Sequence, residues 1–374
     1  MRFLGFVVMQ VTLCLALLWV GRYTALMSLG SKVAAFRETT TLGAIPVREL
    51  RPGDSSVYYD VESNRDIESF CWTAPHVMTP FVGHGPEPGT SATAHTNLLQ
   101  CRSTRQVRLP KPPGVVRIFT TGASTLWGSG ASSDARTISG YLESMINADP
   151  DLLPGRRCEV FALANPAWAS THERIVIENR ISEFEPDLVI SLSGLNDVYW
   201  GLLGRNVLWF RSYADQAYFD VLNLVLERTG YAPMIDVCPW EPKPVPMNVV
   251  VERLQKNIRL ALAALEPRHV PYVFFLQPIM PVCKKPLSPR ENEDLVEMEP
   301  AKRRYFQQCF PLLSRALAAQ QLPGFEFDDL TSMFDGSSAS EEIFLDPYHF
   351  GDRGNERIAA RILESIRPLL RAVH

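Results

Sequence analysis

The 374-residue chain has seven cysteines but no C-x-x-C pair, which excludes the usual zinc-ribbon and thioredoxin-type arrangements. It has no basic run either. Its 37 Lys and Arg against 41 Asp and Glu leave a net charge of −4, so there is no electrostatic footprint for nucleic acid. Internal repeats and low-complexity tracts are absent from it. Histidine is scarce, and His76, His84, His95, His172 and His269 show no metal-ligand spacing. Neither a metal nor an organic cofactor is therefore implied. The glycine-rich stretch "GASTLWGSGAS" (122–132) lacks the lysine of a phosphate-binding P-loop, which excludes that reading.

What is present begins with an apolar run. "FLGFVVMQVTLCLALLWVG" (3–21) is apolar except for Gln10 and Thr12 and has Arg2 before it and Arg22 after it. About 20 such residues suffice to cross a bilayer. The run is longer than the apolar part of a cleaved signal peptide, and no clear small-x-small site follows it. It therefore predicts an uncleaved signal anchor over residues 1–31, with the rest of the chain exported. Cys14 falls in this anchor. Cys71, Cys101, Cys158, Cys238, Cys283 and Cys309 remain; in an exported domain they could form up to three disulfides whose connectivity sequence alone does not give, and six buried thiols in a reducing compartment are the alternative.

Residues 32–113 lack sustained periodicity. "VGHGPEPGTSATAHTN" (82–97) and "LPKPPG" (109–114) are turn and linker chemistry, which predicts a stalk followed by a small irregular, partly β-rich region. From 114 onward the pattern alternates. Strands are expected at 115–121, 158–163, 187–193, 271–277 and 325–330, and helices at 135–147, 171–184, 247–267, around 290–320 and from 351 to the end. In the last of these, Ile358, Ile362 and Ile366 mark one apolar face. Alternation of this kind predicts a parallel sheet with helices on both faces, an α/β/α sandwich spanning 114–374. The aromatic stretch 198–246 is longer than an ordinary connection.

In open parallel sheets ligands bind beyond the carboxyl ends of the strands. Ser124 follows the first expected strand, Asn196 follows the third in "SGLND", and Asp346 and His349 precede the last helix in "DPYHFGDRGN". A serine hydroxyl is a weak nucleophile until a base takes its proton. His349 can do so with one ring nitrogen if Asp346 holds the other. Developing charge on an attacked carbonyl needs fixed donors, for which the Ser124 N–H, the Asn196 amide and an N–H after the second strand are available. Singly, Ser124 would serve as a helix N-cap, Asn196 as a turn residue and His349 as a satisfied histidine. Their joint placement at strand ends favours the catalytic reading.

"GAST" (122–125), "GLND" (194–197) and "DPYH" (346–349) with the "GN" and "IA" that follow resemble blocks I, III and V of the SGNH (GDSL-like) hydrolase superfamily. The resemblance covers about residues 114–374. It implies a flavodoxin-like fold and an esterase, lipase, thioesterase or carbohydrate deacetylase activity. Two positions depart from the family pattern: Ala123 replaces the Asp of Gly-Asp-Ser, and the oxyanion glycine of block II falls on Ala167 in "AWASTHE". Only an N–H is needed there, so Ala167 suffices if its backbone avoids positive φ. The resemblance thus implies Ser124 as nucleophile, His349 as base, Asp346 as its orienter, and Ser124, Ala167 and Asn196 as oxyanion donors.

The expected activity is hydrolysis of an ester on a small molecule, carbohydrate or lipid. An O-acyltransferase using the same site, and a non-catalytic glycan- or lipid-binding module of the same fold, are the alternatives. Trp127, Tyr199 and Trp200 each follow a proposed catalytic segment and are expected to wall the acyl site, against the alternative that they pack the core. Trp168 is expected in the core.

Overall fold

The computed structural model describes residues 76–90, 94–204, 222–233 and 243–373. The apolar run at 3–21, the stalk up to 75, Cys14, Cys71 and Cys238, and residues 205–221 and 234–242 of the long aromatic stretch lie outside the described residues. Among the described residues no helix is long and apolar enough to cross a membrane. Residues 222–233 belong to a separate compact unit and contribute a short helix over 222–228, ended by Gly230 at positive φ.

In the main unit, the Pro- and Gly-rich lead-in makes two small antiparallel hairpins. One pairs β1 (His76–Thr79) with β2 (Gly83–Pro86), the other β3 (Gly89–Thr90) with β4 (His95–Thr96). Five parallel strands follow: β5 (Val115–Gly122), β6 (Arg157–Ala162), β7 (Leu188–Ser193), β8 (Tyr272–Leu276) and β9 (Phe325–Asp329). Their order across the sheet is β6-β5-β7-β8-β9, the flavodoxin-like arrangement in which the chain reverses direction between β5 and β7.

The central strands β5, β7 and β8 are buried on both faces, and alternate residues feed two separate cores. Val116 and Ile118 of β5 face one side with Ile190 and Phe275. There they meet α2 (Ile138–Ala148) and the closing helix α8 (Asp352–Ala372), whose Ile358, Ile362 and Ile366 are all buried. Phe119, Phe161, Val189 and Phe274 face the other side. They meet α3 (Ser170–Asn179), α5 (Met247–Leu265) and α7 (Pro300–Ala318). Between β7 and α5 lies α4 (Leu195–Leu202), and α6 (Pro289–Glu297) precedes α7.

The lead-in packs onto this sandwich. Arg102 bridges antiparallel to Ala162 at the end of β6, and the Asn147 and Glu143 side chains accept from the N–H groups of Cys158 and Val160, so the outer edge is not left unpaired. The Arg102 guanidinium donates to the carbonyls of Trp127 (3.1 Å) and Gly128 (2.8 Å) and to Asp134 (2.8 Å). Cys101, Cys158, Cys283 and Cys309 are free thiols, so the disulfides allowed by the cysteine count are not made among these four.

Candidate active site

The serine is delivered by an abrupt strand-to-helix turn. β5 ends at Gly122, where a Cβ would stand 2.5 Å from the Leu192 carbonyl oxygen of the adjacent strand, so only glycine permits this approach. The one-turn helix α1 (Ser124–Trp127) starts immediately, with Ala123 rather than the serine at its N-cap. The N-cap role open to Ser124 is therefore not the one it has. Its N–H stands in the first turn, where no intrahelical acceptor exists, and its Oγ lies 2.7 Å from His349 Nε2.

His349 is supplied from the other end of the chain by a tight turn in which Leu345 N–H donates to the His349 carbonyl at 2.9 Å. Its Nδ1 lies 2.7 Å from Asp346 Oδ2. The other carboxylate oxygen, Oδ1, accepts from the N–H groups of Tyr348 (2.7 Å) and His349 (2.9 Å). Burial alone would push the Asp346 carboxyl up. The charge and hydrogen bond of His349, with the two backbone donors, outweigh it and hold the group below the ordinary carboxylate value. The turn is backed by a fully buried ion pair between Lys285 Nζ and Glu291 Oε2 at 2.6 Å. Glu291 Oε1 accepts from the N–H groups of Ile343 (2.9 Å) and Phe344 (3.1 Å), just before the turn.

Asn196 comes from the first turn of α4. Gly194, at φ 106°, caps that helix in a conformation that disfavours any side chain. The Asn196 amide donates to the Trp168 carbonyl at 2.6 Å, which employs one of its two N–H bonds. Further contacts tie α4 to the 167–170 loop, including one from Ser170 Oγ to Asp197 Oδ1 at 2.5 Å. Asp197 Oδ2 accepts from Ser170 N–H at 3.0 Å, and Trp200 Nε1 donates to the Ala167 carbonyl at 3.3 Å.

Ala167 itself sits at φ 71°. That overturns the condition attached to it on sequence grounds: the alanine does occupy a left-handed, glycine-favouring conformation. The loop is clamped strongly enough to hold it there. Strained backbone of this sort persists where the surroundings over-determine it.

The aromatic wall needs correction. Trp127 is 1% exposed and lies in the sheet core with Arg102 stacked 4.6 Å from its ring, so it has no face left for a ligand. Trp200, 5% exposed, is spent on the loop contact above. Of the three, Tyr199 alone keeps partial exposure. Trp168 is buried, donates to the His84 carbonyl at 3.0 Å and stacks parallel to His172.

Several groups around the site went unremarked in the sequence. Glu173 and Asp197 are fully buried below the clamp, and desolvation pushes their carboxyls up to about 8 and about 6. Lys302 of α7 lies between the rings of Tyr199 and Tyr348. Asp197 stood in the quoted "GLND", but nothing in "PAKRRY" distinguishes Lys302 from its charged neighbours. Among the described residues no group of three His, Cys, Asp or Glu is placed to hold a metal ion.

No protein-family model matches this chain, and no curated protein matches it. Solved structures do. A lipase from a goat rumen metagenome is 11% identical, with a TM-score of 0.41 over 67% of this chain and 97% of its own. A carbohydrate esterase family 3 protein from Talaromyces cellulolyticus is 13% identical, with a TM-score of 0.38 over 69% of this chain and all of its own. An acetylxylan esterase from Geobacillus stearothermophilus is 13% identical, with a TM-score of 0.40 over 67% and 94%.

Proposed function

We propose that this chain is a serine esterase of the SGNH type. The observation that carries the reading is the relay from Ser124 Oγ through His349 to Asp346, with both links at 2.7 Å. A binding module would have no use for a serine so aligned with a buried, carboxylate-held imidazole.

In this mechanism Ser124 Oγ attacks the ester carbonyl while His349 Nε2 takes its proton. Asp346, ionised, stabilises the imidazolium through Nδ1. The oxyanion is met by the N–H of Ser124, the N–H of Ala167 and the remaining amide N–H of Asn196. Collapse breaks the bond to the alcohol, which leaves with the proton from Nε2. Water then repeats the sequence on the acyl-serine and releases the acid. The substrate class is an ester on a carbohydrate or lipid. The apolar run at 3–21 would hold the enzyme at a membrane with this domain exported, a reading supported by sequence alone. Resistance of the full chain to carbonate extraction from membranes would test that part.

A fluorophosphonate probe and p-nitrophenyl acetate test the chemistry. Wild type should be labelled and turn over, and folded Ser124→Ala should do neither. Labelling of the variant would place the nucleophile elsewhere. Silence from both folded proteins would favour the binding module.

A further inference from the structure

Lys302 is a cation with no assigned task beside the proposed catalytic residues. Its Nζ lies 4.7 Å from the ring centroid of Tyr199 and 5.3 Å from that of Tyr348. The side chain is half-buried, and burial pulls its basicity down. Among the described residues its ammonium has no hydrogen-bond acceptor and no ion pair. The carboxylates whose fields reach it are Asp346 and Glu299. Asp346 is already engaged by His349 and two backbone N–H groups, and Glu299 is exposed on the solvent side of the helix start.

The aromatic seat of this lysine is built on the two segments that carry His349 and Asn196. Tyr348 immediately precedes His349, and its carbonyl accepts from Thr125 Oγ1, the neighbour of Ser124, at 3.4 Å. Tyr199 stands three residues beyond Asn196 on α4. Around the site Ser124, Tyr199, Lys302 and Tyr348 retain exposure, whereas Trp127, Trp200, Asn196 and His349 are buried. Among the described residues, two aromatic rings and one ammonium thus stand with Ala167 and Pro347 as the partly exposed groups of the segments that carry the site.

Aromatic faces attract an ammonium but accept none of its three N–H bonds in the manner of an oxygen. A partly desolvated cation left in that condition gains most from an anion. We infer that Lys302 binds a negatively charged group, a carboxylate or phosphate, carried by the ester substrate. This rests on the esterase reading above and narrows its substrate class to acidic esters. Neutral acetylated sugars would leave the ammonium unmatched.

Matched pairs of probes test this in the whole protein. On the acyl side p-nitrophenyl hemisuccinate is compared with p-nitrophenyl butyrate, and on the alcohol side 4-acetoxybenzoate with 4-acetoxybenzamide. Wild type should favour the charged member of at least one pair by about tenfold in kcat/KM, chiefly through KM, as expected for one hydrogen bond to a charged group. Lys302→Met should abolish that preference while leaving the neutral member within about twofold, and Lys302→Arg should restore most of it. Equal rates on both members of both pairs in wild type would overturn the inference. So would a Lys302→Met protein that keeps the preference, or one that slows charged and neutral esters alike.

Binding separates this inference from the esterase reading. Calorimetry of Ser124→Ala with N-(4-nitrophenyl)succinamate against N-(4-nitrophenyl)butyramide, and with 4-acetamidobenzoate against 4-acetamidobenzamide, reads charge recognition without turnover. Charge-selective binding that depends on Lys302, in a protein that hydrolyses nothing, would sink the esterase and keep an acidic-ligand site. Turnover without selectivity would sink only the role of Lys302.

Discussion

At the residue scale, Ala167 bears a backbone cost that can be measured. A non-glycine residue at φ 71° gives up about 1 kcal/mol relative to ordinary backbone, more than glycine loses through its freer unfolded chain. Ala167→Gly should therefore stabilise the protein by roughly 0.5 kcal/mol in denaturant titration; a loss of stability would show that the methyl group packs usefully. Asp346→Asn should lower kcat by about 10³–10⁴-fold with little change in fold, because an amide no longer holds the imidazole in the productive tautomer. The residues that line up around the serine were legible because each stands at the end of a recognisable strand or in a short spaced motif. The role of Trp127 was not. Its position three residues after Ser124 suggested a wall, yet the ring is buried in the sheet core, where Arg102 covers it.

At the scale of elements, the strand and helix alternation was readable from periodicity, and all five parallel strands lie within a residue or so of where the sequence puts them. Several elements escaped, among them α4 and the helix over 222–228, for which the sequence offered only a long aromatic stretch. The charged segment around 290–320 reads as a helical region with no break assigned, but Met298 and Glu299 turn extended before Pro300, which opens a second helix and cannot continue the first. The four-residue α1 is too short to show any periodicity. The buried pair Lys285–Glu291 was equally invisible, because six residues of spacing give no hint that both side chains are fully withdrawn from water. Lys285→Met should cost about 3–5 kcal/mol, since it strands a buried carboxylate. A change below about 1 kcal/mol in the denaturation free energy would mean that Glu291 reaches solvent.

At the scale of the whole molecule, two buried carboxyls tilt stability against alkaline pH. Glu173 rises from 4.5 in the unfolded chain to about 8, and Asp197 from 3.8 to about 6. A raised folded value means that the stabilisation is complete below the unfolded value and drains away as pH climbs through the folded one. Asp346 works the other way, losing its contribution as acid protonates it. The denaturant midpoint should therefore fall from about pH 5 to about pH 8, and Glu173→Gln should flatten much of that decline. A profile that rises across this window in wild type would refute it. The chain also imposes an order in time. Ser124 and His349 are 225 residues apart, so at about 5–20 residues per second a ribosome needs roughly 10–45 s to add the proposed base after the proposed nucleophile. Throughout that interval the growing polypeptide carries a serine no more reactive than any other. On the esterase reading, hydrolytic power waits for the turn that carries His349 to dock, and a chain terminated before that residue lacks the base.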